Sequence, residues 1–303
     1  MEQRREETCH GSGGMCEVVA KKRIGRGGNS EVYLGVLQGE SKFCVVKRAI
    51  RGKNALLQLE NEWRVLRYLK NAGYKYSPEP LSFSEREMVM EYLGGFTLEH
   101  ADLGESSEDE LKALFTDICK ITGALHELRI PVIHRDIKPS NIMTSKEGKL
   151  YLIDFGTAAI YAGYKREEAM ENSGITGAGT KGYAAPEQYG GLSPECFATD
   201  IYQLGRTMEV LLSRSNASDA FRDEMCRVIK RCCAPVAGER YSRVSDIPAD
   251  LLMIKTRKKK KSILVKLFGR EKPGKDEGYF TQKPHEPELF VDIVRTFDTI
   301  EFL

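Results

Sequence analysis

No run of about 18 apolar residues occurs in the 303-residue chain, which excludes a helix that spans a bilayer. Residues 1–14, MEQRREETCHGSGG, carry none of the apolar core of a secretory signal. None of the eight cysteines belongs to a CxxC pair, so zinc-ligand spacing is missing and the thiols read as reduced, cytosolic and structural. Internal repeats are missing too. Net charge is small, at +2, but residues 255–275 hold ten Lys/Arg against one acid, which leaves −7 on the remainder. An acidic body with a basic segment is a different object from a neutral protein. What is present is an ordinary globular mix, 41% hydrophobic and 30% charged, long enough for one large or two modest domains with a real core.

Residues 1–16 read as disordered. From 17 to about 47 the pattern is strand-like, with EVVAKKRI, EVYLGVL and FCVVKR separated by glycines. Residues 54–71 have helical period, with Leu56, Leu59, Trp63, Leu66 and Leu69 on one face. PLSF and EMVMEYL read as two further strands, and the glycine pair at 94–95 reads as a break. Beyond it the chain reads as mostly helical, with strands or loops around 130–155. A small β-rich unit therefore precedes a larger α-rich one. The lysine run and the Pro/Gly/Lys stretch over 257–275 mark a linker.

Several short stretches carry residue types suited to phosphate and metal chemistry. IGRGGNSEV (24–32) lies between two strand patterns, and its glycines allow backbone N–H groups to approach an anion closely. A Gly-rich hairpin is by itself more often a simple turn. Lys47 ends an apolar strand, where a lysine ordinarily snorkels to solvent. Glu62 shares the face of Leu66 and Leu69, where a carboxylate is solvated unless it pairs with a cation. VIHRDIKPSNIM (132–143) sets Asp136, Lys138 and Asn141 between apolar residues, and YLIDFGTAA (151–159) sets Asp154 before Phe-Gly. Each is ordinary singly; the ordered set is highly restrictive.

Together these motifs, with GTKGYAAPEQY at 179–189, resemble those of a protein kinase of the bacterial Ser/Thr type with a eukaryotic-like fold. The resemblance covers about 17–254 and implies an α+β bilobal fold, a β-rich N-lobe over about 17–91 and a larger helical C-lobe over about 94–254. It implies ATP and Mg2+ as cofactors, protein substrates, and autophosphorylation. Gly25 and Gly27 would cover the ATP phosphates; Lys47, oriented by Glu62, would hold them; Asp154 and Asn141 would bind magnesium. Asp136 would orient the substrate hydroxyl and accept its proton, and Lys138 would steady the γ-phosphoryl group. Ile24, Val32, Val45 and Met143 would enclose the adenine, Met90 would be the gatekeeper, and Glu91 to Leu93 the hinge. Lys138 and Thr180 point to Ser/Thr specificity. Ser30 stands where the third loop glycine is usual, and Val45 where an Ala is usual; neither removes a catalytic group.

The resemblance also pairs Arg240 with Glu187 and makes Asp200 an anchor of the large lobe. It implies a phosphate on the segment between Asp154 and Glu187, at Ser173 or Thr176, as a partner for Arg135. Only about eight residues, SRSNASDA, separate the helix patterns near 199–212 and 221–233, where the family usually has another helix. Two other readings are a small-molecule phosphotransferase, which normally lacks an APE segment, and a non-catalytic ATP-binding scaffold, which has no need of Lys47, Asp136 and Asp154. RKKKK has sparse aromatics around it and suits no specific nucleic acid. The segment 255–287 reads as a basic linker, able to rest on an anionic membrane and otherwise solvated, and the protein as cytoplasmic or peripheral to a membrane. Residues 288–303 read as an amphipathic helix with Phe290, Ile293, Val294, Phe297 and Ile300 on one stripe, to be covered by the kinase body or by a second copy.

Overall fold

A computed structural model describes residues 18–38, 42–161, 179–190 and 195–257. The expected disordered N-terminus, the loop residues Ser173 and Thr176, most of the basic linker and the amphipathic C-terminal segment lie outside these residues.

The first lobe is a five-stranded antiparallel sheet in the order β1-β2-β3-β5-β4. Its strands are β1 (Val18–Arg26), β2 (Ser30–Leu37), β3 (Phe43–Ala49), β4 (Pro80–Ser84) and β5 (Glu87–Glu91). Period-two alternation along β3 sends Cys44 and Val46 to an apolar cluster with Leu37 and Val89. Val45, Lys47 and Ala49 face the other way, and the register pairs Lys47 with Val32 on β2 and Met88 on β5. A lysine on the cleft side of a central strand is thereby fixed by sheet geometry.

Helix α1 (Lys53–Asn71) packs against this sheet. Its buried face is Ala55, Leu59, Glu62, Val65, Leu66 and Leu69. That face is rotated from the expected stripe, because Leu56 and Trp63 are only half-buried and Trp63 stacks on Phe83 at 5.6 Å. The rotation turns Glu62 inward.

The second lobe is built on α2 (Glu108–His126), α3 (Phe197–Ser213), α4 (Asp219–Cys232) and α5 (Ile247–Met253). Helix α2 begins with a capping box, in which Ser107 Oγ accepts from Glu110 N at 3.2 Å and Glu110 Oε2 accepts from Ser107 N at 2.7 Å. Helices α3 and α4 approach closely at Gly205, where a Cβ would lie 2.6 Å from Cys232 Cβ and from Cys233 Sγ.

Two small sheets frame the cleft. One is β6 (Gly95–Thr97), β8 (Ile142–Ser145) and β9 (Leu150–Leu152); the other is β7 (Val132–Ile133) with β10 (Ala159–Ile160). Strand β6 departs from the expected break at the glycine pair. Gly94 does turn, at φ 59°, but Gly95 pairs with Ser145 so closely that a Cβ would lie 1.9 Å from Thr144 O.

The connection from α3 to α4 is Arg214–Ser218 and contains no helix. It is tied across to the segment before α2: Arg214 Nη1 donates to Leu98 O and Glu99 O at 3.0 and 2.6 Å, and Asn216 Nδ2 to Gly104 O at 2.9 Å. The short connection is thus a strap fixed at several points.

Candidate active site

The two lobes meet at a cleft of about 320 Å³ lined by the Gly27–Ser30 turn, Lys47, Glu62, Asp136, Asp154 and Thr180, among others. Lys47 Nζ donates to Glu62 Oε2 at 2.6 Å and to Asp154 Oδ1 at 3.0 Å. Three residues far apart in sequence are therefore joined by one ammonium group. Burial works against the charge on Lys47, but the carboxylates of Asp154 and Glu62 outweigh it and hold its pKa above the usual value. Desolvation pushes Asp154 up, and Lys47 more than reverses this, leaving it at about 2. Burial dominates at Glu62 and raises its pKa despite Lys47.

Below the cleft, Asp136 accepts at both oxygens. Its Oδ1 takes the Thr180 hydroxyl at 2.7 Å; its Oδ2 takes Lys138 Nζ at 2.7 Å and Asn141 Nδ2 at 3.0 Å. Lys138 Nζ also reaches Thr180 Oγ1 at 2.5 Å. A short helical turn, Pro139–Asn141, returns the chain so that Asn141 Nδ2 also bonds Asp136 O at 2.8 Å. Carboxylate, ammonium, carboxamide and hydroxyl thus converge within six residues of sequence plus one distant threonine.

Arg135 and Asp154 have φ of 70° and 62°, in the left-handed region that costs a non-glycine residue about 1–3 kcal/mol. Such conformations persist only where the surroundings fix them. Around Arg135 the buried Asp200 does so: its Oδ1 accepts from Arg135 N at 2.8 Å and its Oδ2 from His134 N at 2.9 Å and from His126 at 2.8 Å. The His134 ring packs on Phe155 with centroids 4.8 Å apart, and burial pushes its pKa down. The Arg135 guanidinium forms an ion pair with Glu195 and lies 3.3 Å from Thr157 O. This cation already faces a carboxylate of its own chain.

The adenine-side residues fall as follows. Val45 lies opposite Met90 across β3 and β5, Met90 is buried, and Ile24, Val32, Val45, Leu93 and Met143 are half-buried. Gly25 pairs with Val32, and a Cβ there would touch Val32 Cβ at 3.7 Å. Glu91 donates its N–H to Glu79 O at 2.8 Å, and its side chain accepts from Glu79 N at 3.1 Å. Arg240 and Glu187 form the expected two-armed contact at 2.7 and 2.9 Å.

Other residues at the site escaped the sequence reading. Asn61, next to Glu62, donates to Gly156 O at 3.0 Å and Ala158 O at 2.9 Å, tying α1 to the segment after Asp154. Asn29 Nδ2 donates to Gln58 Oε1 at 2.7 Å, tying the glycine turn to the same helix. Gln188, Gln203 and Thr207 reach the backbone around Asp136. The signal for the last two was a polar stripe, Asp200, Gln203 and Thr207, at i, i+3 and i+7 on one face of the helix.

The donor set fits a divalent cation. Asp154 is ionised, its side chain is 48% exposed and opens onto the cleft, and Asn141 adds a carboxamide close by; both offer the oxygen ligands hard cations prefer.

A family model described as Protein kinase domain matches residues 18–261. Serine/threonine-protein kinase F of Synechocystis is 31% identical over 276 residues, covering 76% of this chain and 54% of that protein. Serine/threonine-protein kinase C of the same organism is 33% identical over 242 residues, covering 74% and 44%. Human calcium/calmodulin-dependent protein kinase type 1B is 32% identical over 202 residues, covering 63% and 55%. The chain spans about half the length of the curated relatives it matches.

Proposed function

Because the chain belongs to the protein kinase family, we propose that it transfers the γ-phosphate of ATP to serine or threonine hydroxyls of proteins, its own included. One observation carries this reading: both oxygens of Asp136 are held by Lys138, Asn141 and Thr180, 136 being the residue best placed to receive a hydroxyl proton. A substrate hydroxyl would take the place of the Thr180 contact at Oδ1 and give up its proton there. Lys138, bridging Asp136 and Thr180, would turn to the phosphoryl group as charge moves onto it. Lys47, locked by Glu62, would hold the α- and β-phosphates beneath the turn containing Gly25 and Gly27. Ile24, Val32, Val45, Met90, Leu93 and Met143 would form the adenine slot. Asp154 and Asn141 would hold Mg2+, which when bound neutralises phosphate charge.

The full chain incubated with labelled ATP, Mg2+ and a mixed peptide library is expected to yield phosphoserine and phosphothreonine, and nothing when EDTA removes the metal. Label found only on tyrosine, or only on small molecules, contradicts the reading.

We propose further that the basic segment 255–275 rests on anionic lipid and that the protein is otherwise cytoplasmic. Among the described residues no helix is long and apolar enough to cross a membrane. The described chain leaves the body at the start of α2, where Glu108 Oε2 accepts from Arg257 N at 2.6 Å and Asp109 accepts from Thr256 at 2.6 Å. Each cation near such a surface contributes roughly 1 kcal/mol. Full-length protein should sediment with phosphatidylserine vesicles at low salt, and a chain ending at 257 should not. Equal sedimentation of both rejects the contact.

A further inference from the structure

Three side chains of α3 grip successive backbone groups of the loop that carries Asp136. Asp200 takes the N–H groups of His134 and Arg135. Thr207 Oγ1, two turns on, lies 3.3 Å from Ile137 O. Between them Gln203, fully buried, donates from Nε2 to Arg135 O at 2.7 Å and accepts at Oε1 from Ile137 N at 2.7 Å. One carboxamide therefore holds the peptide groups on both sides of Asp136 and nothing of Asp136 itself.

Gln203 is in turn held by a second carboxamide. Its Nε2 also donates to Gln188 Oε1 at 2.8 Å, and that oxygen accepts from Ala185 N at 3.0 Å. Gln188 Nε2 donates to Arg135 O at 2.9 Å. With these contacts the orientation of the Gln203 amide is determined: only nitrogen toward Arg135 O and oxygen toward Ile137 N satisfies the donors and acceptors.

Building on the kinase reading above, we propose that Gln203 is the positioning residue for Asp136. Fixing the carbonyl of residue 135 and the N–H of residue 137 fixes the peptide planes that flank the Asp136 Cα, and so the direction of its Cβ. The contacts to Lys138, Asn141 and Thr180 set the far end of the carboxylate but come from groups that the reaction itself rearranges. Gln203 lies behind the loop, away from those groups, and stays in place throughout. Asp200 holds the N–H of Arg135 and Gln203 its carbonyl, so the two together maintain the strained φ of 70°.

The test uses the full chain with Gln203→Met, which fills similar space without hydrogen bonds, and Gln203→Glu, which keeps an acceptor for Ile137 N and loses the donor to Arg135 O. Misplacement of a reacting group by about 1 Å costs on the order of 100-fold. Gln203→Met is expected to lower kcat by roughly 10–100-fold on that basis, with KM for ATP unchanged, and Gln203→Glu, which sets a buried carboxylate oxygen against Arg135 O and Gln188 Oε1, by at least as much. In an Asp136→Asn background the same change should leave the residual rate unaltered, since it acts through a group already removed. Faster hydrogen exchange at the Ile137 amide is expected in Gln203→Met; this readout needs no catalysis, so it distinguishes failure of this inference from failure of the kinase reading. Unchanged kcat, or a loss of equal size in the Asp136→Asn background, or unchanged Ile137 exchange, overturns the proposal. Should Gln203→Met fail to fold, Gln203→Glu supplies the same three measurements.

Discussion

Asp136→Asn is expected to reduce phosphate transfer by roughly 100–10,000-fold, the range for loss of a general base, while the protein remains folded and binds ATP. Asparagine matches the shape of Asp136, so Asn141 and Thr180 keep neighbours of the same size. The charge is lost, and with it the basicity that takes the substrate proton and one of the two oxygens that Lys138 and Thr180 now occupy. Lys47→Met should be as damaging by a different route. It removes the cation joining Glu62 and Asp154, at 2.6 and 3.0 Å, and with it the grip on the phosphates. The fold should survive, because Glu62 already has a raised pKa and can take up a proton in place of its partner. Incorporation of labelled phosphate into a peptide measures both; near-normal transfer by Asp136→Asn would remove Asp136 from the proton's path, and global unfolding of Lys47→Met would show that the ion pair is structural first.

How much of this was legible in the sequence depends on what each residue bonds to. The sheet and α1 followed from alternation and helical period, within a residue or two at each end. Lys47, Glu62, Asp136, Asn141 and Asp154 were legible because they stand in motifs whose order and spacing are restrictive. Arg240 and Glu187 were legible on the same grounds, although 53 residues separate them. Asn61 and Gln188 were not, because an amide on a helix reads as a solvated position, and Gln203 and Thr207 left only the polar stripe they share with Asp200. Each is bonded to backbone carbonyls or N–H groups of a distant segment, and backbone groups leave no trace in a sequence. Glu195 was missed for a related reason. Arg135 was expected to await a phosphate, and nothing in SPECF announces a carboxylate folded back against a residue 60 positions earlier. Trp63 was assigned to the buried stripe of α1 on period alone; its half-burial follows from stacking on Phe83 at the edge of the sheet.

Arg240→Ala should be the most destabilising single change in the second lobe, costing about 3–5 kcal/mol, as breaking a buried ion pair does. All five guanidinium hydrogens have partners. Nε bonds Ala234 O at 2.8 Å; Nη1 bonds Glu187 Oε1 at 2.7 Å and Ala198 O at 2.8 Å; Nη2 bonds Glu187 Oε2 at 2.9 Å and Pro235 O at 3.2 Å. The residue therefore joins the segment before α3, the start of α3 and the segment after α4, and its plane lies 5.0 Å from the Tyr202 ring. Removing it leaves the Glu187 carboxylate buried with Thr199 Oγ1, at 2.8 Å, and its own backbone N–H in place of the charged partner. Arg240→Lys keeps the charge but supplies three donors in place of five, so it should recover only part of the loss. For a domain of this size the alanine variant should melt on the order of 10 °C lower. The pH dependence has a definite sign. Burial works to raise the Glu187 pKa, but hydrogen bonds from Arg240 outweigh this and hold it below the usual carboxylate value. Its contribution to stability is therefore complete above the unfolded pKa of about 4.3 and is lost as pH falls through the lower folded value. In Arg240→Ala the largest cause of that depression is gone, so the gap in melting temperature between wild type and variant should be widest near neutrality and should narrow in acid. Thermal melts from pH 7 downward measure it, and a gap that stays constant or widens toward low pH would mean that the lost packing of the arginine side chain, and not its charge, carries the effect.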